Sequence, residues 1–70
     1  MSTEQLPERI YSSYDEVRDR LALRQALNLQ ARTPGYQRHA ALSRIVARGR
    51  EAQERLIAHG RLNTRYGAML

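Results

Sequence analysis

Pro34 and Gly35 stand side by side in the stretch "ARTPGYQRH" (residues 31–39), and nothing else between Tyr14 and His59 interrupts the chain so sharply. A proline removes a backbone donor and clashes with the preceding helical turn, while glycine admits conformations that other residues resist. Residues 14–31 contain neither and are rich in Leu, Ala, Arg and Gln, all strong helix formers. One break between two helix-forming runs predicts an all-α chain, folded as an antiparallel helical hairpin with a tight link.

Local signals place the ends of the two helices. Ser13-Tyr14-Asp15-Glu16 has the pattern of a capping box, a serine followed three residues later by glutamate. Acids fill the first turn, where the helix dipole favours them. At the link, Thr33 reads as the N-cap of the second helix and Pro34 as its first helical residue, where the missing N–H costs nothing. Gly60 reads as the left-handed residue that closes that helix after His59. The predicted helices are therefore about 14–31 and 34–59.

The second helix carries one clear apolar stripe, in which Leu42, Ile45, Val46, Gly49, Ala52, Leu56 and Ile57 recur at steps of three and four. Gly49 lies in phase with that stripe and reads as a close-packing or bending point. A break there, giving a helix-turn-helix, needs stop and start signals of its own, and "VARGREAQ" has no cap pair. The first helix is less tidy. Val17 and Leu21 lie on one flank, Leu23 and Leu27 on another, and Leu29 with Ala22 and Ala26 on a third. That surface is too wide for one neighbouring helix. A chain of 70 residues is also marginally stable alone when it has no staple. Both points predict self-association through Leu23, Leu27 and Leu29, giving a homodimer in a four-helix arrangement.

Helices of 18 and 26 residues span about 27 and 39 Å at roughly 1.5 Å per residue. The longer one should overhang and leave Leu56 and Ile57 uncovered. "LPERIY" (residues 6–11) is placed to fill that gap as a short N-terminal helix starting at Pro7, with Leu6, Ile10 and Tyr11 as its apolar contacts. The reading is a single helical domain over residues 1–60. After it, "RLNTRYGAML" (61–70) has no periodicity and is expected to be a flexible basic tail.

Catalysis is not expected. Cysteine is absent, so disulfides and thiolate metal sites are excluded, and His39 and His59 lie far outside zinc-ligand spacing. Asp15, Glu16 and Asp19 cluster at a helix start, where capping and dipole effects account for them. No glycine-rich phosphate loop is present, and no cofactor is expected. The N-terminus "MSTEQLPERI" lacks the apolar segment of a secretory signal. No run is apolar enough to span a bilayer, and the amphipathic stripe carries no Trp or Phe for a membrane surface. The expected compartment is the cytoplasm.

Charge is the strongest functional signal. All twelve basic residues are arginine, and the net charge is +5. Up to Leu29 five acids face four arginines, a balance of −1; from Gln30 onward eight arginines face only Glu51 and Glu54, a balance of +6. Such asymmetry points to an acidic partner for the C-terminal half. Projected at about 100° per residue, Arg44, Arg48 and Arg55 form one strip beside the apolar stripe. Arg61, Arg65 and Tyr66 form a second candidate, mixing guanidinium forks with an aromatic. Glu51 interrupts the strip as a phosphate track, which favours a larger acidic protein or assembly over nucleic acid. The expected function is a non-enzymatic adaptor or inhibitor that docks on a larger macromolecule, of the kind common among phage and mobile-element accessory proteins. The alternatives are a nucleic-acid-binding regulator using the arginine strip and a small structural subunit of an assembly such as a virion.

Overall fold

The computed structural model describes residues 10–66. Helix α1 (Ser13–Arg32) and helix α2 (Ala40–Ala58) pack antiparallel as a hairpin, and a single 3₁₀ turn (Tyr36–Arg38) lies between them. The all-helical hairpin expected from the sequence is therefore present, and no strand occurs among the described residues. The short N-terminal helix expected around Leu6 and Pro7 lies outside the described residues.

α1 begins one residue earlier than the cap motif predicted. The sequence offers two overlapping serine–acid boxes, and the structure uses the first. Asp15 N–H donates to Ser12 Oγ (3.2 Å), and Ser12 N–H donates to Asp15 Oδ2 (3.0 Å). The second box fails because Glu16 is drawn away from the helix start, toward Arg20 one turn on (2.8 Å) and Arg61 (3.6 Å).

The link is a correction to the predicted boundary. Thr33 does not open the second helix. It ends the first, its N–H donating to Leu29 O at 2.9 Å. Pro34 cannot donate, so the helical ladder stops there. The chain then tightens into the 3₁₀ turn, held by Tyr36 N–H to Thr33 O (3.1 Å) and His39 N–H to Tyr36 O (3.0 Å). Ser43 Oγ donates to Tyr36 O from the first turn of α2 (3.3 Å). α2 starts only after His39, whose side chain makes no cap bond. At its other end the prediction holds in detail. Gly60 adopts φ 71°, with Gly60 N–H on Ile57 O (3.0 Å) and Arg61 N–H on Leu56 O (2.8 Å), the two bonds of a Schellman motif.

The late start of α2 leaves helices of 20 and 19 residues, about 30 and 28 Å long at roughly 1.5 Å per residue. The expected overhang does not exist. α2 buries Val46, Gly49, Ala52, Gln53 and Leu56, the predicted stripe running unbroken through Gly49. α1 buries Asp15, Asp19, Leu23 and Ala26, so half of its inner positions are acidic. Leu23, Ala26 and Leu56 form the apolar core, with Tyr11, Leu27 and Leu62 packed against it. Leu23, expected at an interface between two copies, is thus placed inside the single chain. Tyr11 packs on this core, which includes Leu56, as expected of it, whereas Ile10 is exposed.

Residues 61–66 do not trail away. Leu62 packs on the core, Arg65 forks onto Glu54 (2.7 and 2.9 Å), and Tyr66 N–H donates to the buried Gln53 Oε1 (3.0 Å). The segment read as a loose tail is to this extent part of the fold.

Candidate functional site

Asp19 is the polar centre of the molecule. It lies one turn before Leu23 on the inner face of α1 and is 0% exposed. A carboxylate so placed needs charged or hydrogen-bonding partners to offset its lost hydration. Arg55 reaches across from α2 side-on, its Nη2 2.9 Å from Oδ1 and its Nε 3.1 Å from Oδ2. Arg18 Nε donates to Oδ1 at 3.2 Å, and the Tyr11 hydroxyl donates to Oδ2 at 2.5 Å. Burial alone pushes this carboxyl up, but the bonds from Arg55, Tyr11 and Arg18 outweigh it and hold the pKa down at about 2. Tyr11 moves the other way, pushed up to about 12 by burial, by its bond to Asp19 and by that carboxylate's charge. Its ring stacks on His59 with centroids 4.1 Å apart and planes 9° from parallel. One buried acid thereby joins the N-terminal segment, α1 and α2.

Above this cluster Arg18, Ala22, Arg48 and Arg55, with Asp19 at the base, line an open hollow of about 330 Å³. Three guanidinium groups face one carboxylate here. Arg18 and Arg55 are committed to Asp19, and Arg18 also to Asp15 (3.4 Å). Arg48 is different: it is exposed and forms no ion pair with any described acid, and neither does Arg44 one turn earlier on the same flank. Guanidinium forks free in this way donate paired hydrogen bonds to carboxylate or phosphate.

The predicted partner-binding residues thus divide in three. Arg48 lines the hollow and Arg44 lies one turn before it on α2, both exposed and neither paired with a described acid. Arg55 shares the hollow but is held by Asp19, so much of its charge is spent within the fold. Arg61, Arg65 and Tyr66 do not line the hollow: Arg61 lies against α1, and Arg65 with the Tyr66 backbone against α2. Arg61 faces Glu16 (3.6 Å), and its carbonyl accepts from Arg20 Nη2 (2.8 Å). Arg65 is paired with Glu54, and Tyr66 borders a groove with Leu23, Leu27, Leu62, Arg20 and Arg24. The strip and the tail are therefore two separate surfaces.

Of the residues expected to self-associate, Leu23 is in the core and Leu27 packs against it. Leu29 is half-buried in a depression shared with Gln25, Arg32 and Ile45. Among the described residues the exposed large apolar side chains are instead Ile10, Tyr14, Val17, Leu21 and Tyr66. Val17 and Leu21 share a flank by helical spacing, but only the packing of α2 decides that this flank stays outside. Asp15 and Asp19 occupy the N-terminal half of the inner stripe and Leu23 with Ala26 the C-terminal half, which leaves Val17 and Leu21 outside it.

No group of three or more His, Asp and Glu side chains placed to hold a metal ion occurs among the described residues. No described helix is long and apolar enough to cross a membrane. Comparison with protein-family models, curated proteins and solved structures finds no match for this chain.

Proposed function

We propose that this chain is a non-enzymatic docking module, an adaptor or inhibitor that sets the arginine flank of α2 against an acidic face of a larger cytoplasmic protein, and that two copies act together. The observation that carries the reading is that Arg44 and Arg48 are exposed and paired with no described acid, beside a hollow whose other arginines are internally compensated. With no described acid beside them, these two guanidiniums on one helix face keep their forks for a partner's carboxylates, and the planar fork limits the freedom lost per hydrogen bond. Glu51, exposed between Arg48 and Arg55 in sequence, supports a protein partner over a phosphate track. Pairing is supported by the thin core, in which the buried apolar side chains among the described residues are Leu23, Val46, Leu56 and two alanines.

The test is affinity capture by the full chain from its native host, with captured proteins identified and the purified complex then titrated with salt. Arg44→Glu with Arg48→Glu should weaken binding by about tenfold or more, the scale of one charge-assisted contact. Arg32→Glu with Arg38→Glu at the link should weaken it less, both variants remaining helical by circular dichroism. Tight binding to a DNA duplex, falling steeply with salt and abolished by the Arg44 and Arg48 changes, would replace this reading with nucleic-acid recognition.

A further inference from the structure

On the side of α1 turned away from α2, Tyr14, Val17 and Leu21 are 74%, 56% and 57% exposed. They recur at i, i+3 and i+7 and so form one ridge along two turns of helix. Single exposed apolar residues are ordinary, but three in register on the outer face of one helix form a contact surface. We propose that this ridge is where a second copy of the chain packs, α1 against α1 and antiparallel, about a two-fold axis level with position 19. The assignment rests on the pairing proposed above and names the face that makes it.

Charge favours this occupant. A two-fold contact must be complementary to itself. Antiparallel pairing about position 19 sets Val17 against the second copy's Leu21, apolar on apolar. It also sets Tyr14 against Arg24, an exposed arginine that forms no ion pair with a described acid. A guanidinium over a tyrosine ring is an attractive cation–π contact. The arginines bordering the ridge are already compensated, Arg18 by Asp15 and Asp19 and Arg20 by Glu16. Two chains of net charge +5 therefore meet at a face where Arg18 and Arg20 are paired with acids of their own chain and Arg24 is set against a tyrosine ring. The ridge is small beside the roughly 1,200 Å² of a stable complex, so the pairing is reversible and depends on concentration. It leaves the α2 flank with Arg44 and Arg48 open on both copies.

Sedimentation equilibrium of the full chain, from about 10 μM to about 1 mM, tests this at about 0.05 and 0.5 M salt. The expected result is a monomer–dimer equilibrium that tightens severalfold at the higher salt, because screening relieves repulsion between two cationic chains. Docking through Arg44 and Arg48 loosens under the same change, so the two contacts separate by sign. Val17→Asp with Leu21→Asp should weaken the dimer at least thirtyfold while the monomer stays helical, both positions being exposed. The chain has no cysteine, so oxidising a mixture of Val17→Cys and Leu21→Cys chains reads the register: the mixed disulfide should outpace either symmetric one. A monomer under every condition overturns the pairing and this face together, leaving the arginine flank untouched. A wild-type dimer that the double aspartate variant leaves intact overturns this face alone, as does a dimer that loosens with salt.

Discussion

Asp19 shows how one residue governs a small fold. Completely buried, it keeps its charge because Arg55, Arg18 and Tyr11 converge on its two oxygens. Lowering its pKa from 3.8 to about 2 corresponds to about 2 kcal/mol of folding stability at neutral pH. Because the folded pKa lies below the unfolded one, that stability is complete above about pH 4 and is lost as pH falls toward 2. Asp19→Asn should therefore lower stability by about 2 kcal/mol at pH 7 and flatten the acid limb between pH 4 and 2, as measured by urea unfolding across that range. An acid limb as steep in the variant as in the wild type would show that other carboxylates carry it.

Helix ends were decided between near-equal local choices, and cap substitutions reveal which was taken. Ser12 and Ser13 each begin a serine–acid box, but only Ser12 Oγ accepts the Asp15 N–H. Ser12→Ala should cost about 1 kcal/mol, the ordinary loss of an N-cap, while Ser13→Ala, an exposed position within the first turn, should leave thermal melting nearly unchanged. Equal effects would mean that the two registers exchange in solution. At the link, Thr33 closes α1 through its backbone N–H, so its side chain has no cap to provide. Pro34 and Gly35 mark the break, as the sequence indicates. The four further residues before α2, Tyr36 to His39, are spent on the 3₁₀ turn and on seating Tyr36 between Ser43 and Gln30.

At the scale of the molecule, a two-helix hairpin is too thin to bury its own apolar residues, and flanking segments complete it. Tyr11 covers one side of the Leu23–Ala26–Leu56 core and Leu62 another. Leu62→Ala should lower stability by about 1–2 kcal/mol, the scale for a partly buried leucine. Arg65→Ala, which breaks only a solvent-exposed pair with Glu54, should leave the melting temperature where it is. Insensitivity to Leu62→Ala would show that residues 61–66 contribute nothing to the core. Arg44 and Arg48 on α2 and the apolar ridge on the outer face of α1 are the two surfaces of opposite character on which the proposed docking and pairing rest.

The helical class, the single break at Pro34-Gly35, the stripe from Val46 to Leu56 and the left-handed closure at Gly60 were all legible in residue order. Each depends on interactions within a few positions of the chain: propensity, periodicity or a backbone conformation that only glycine adopts freely. Residue order also showed that Arg44, Arg48 and Arg55 share a helix flank, because helical spacing alone sets that. It left open which of these charges remain free. Arg55 is compensated by Asp19, an acid 36 positions away that only the packing of α2 on α1 brings into reach. The same packing chose the inner face of α1, drawing Leu23 inward and leaving Tyr14, Val17 and Leu21 in solvent. A buried carboxylate clamped by arginine from across the hairpin can occupy a core position that hydrophobic patterning reserves for leucine, and only tertiary contact supplies the clamp.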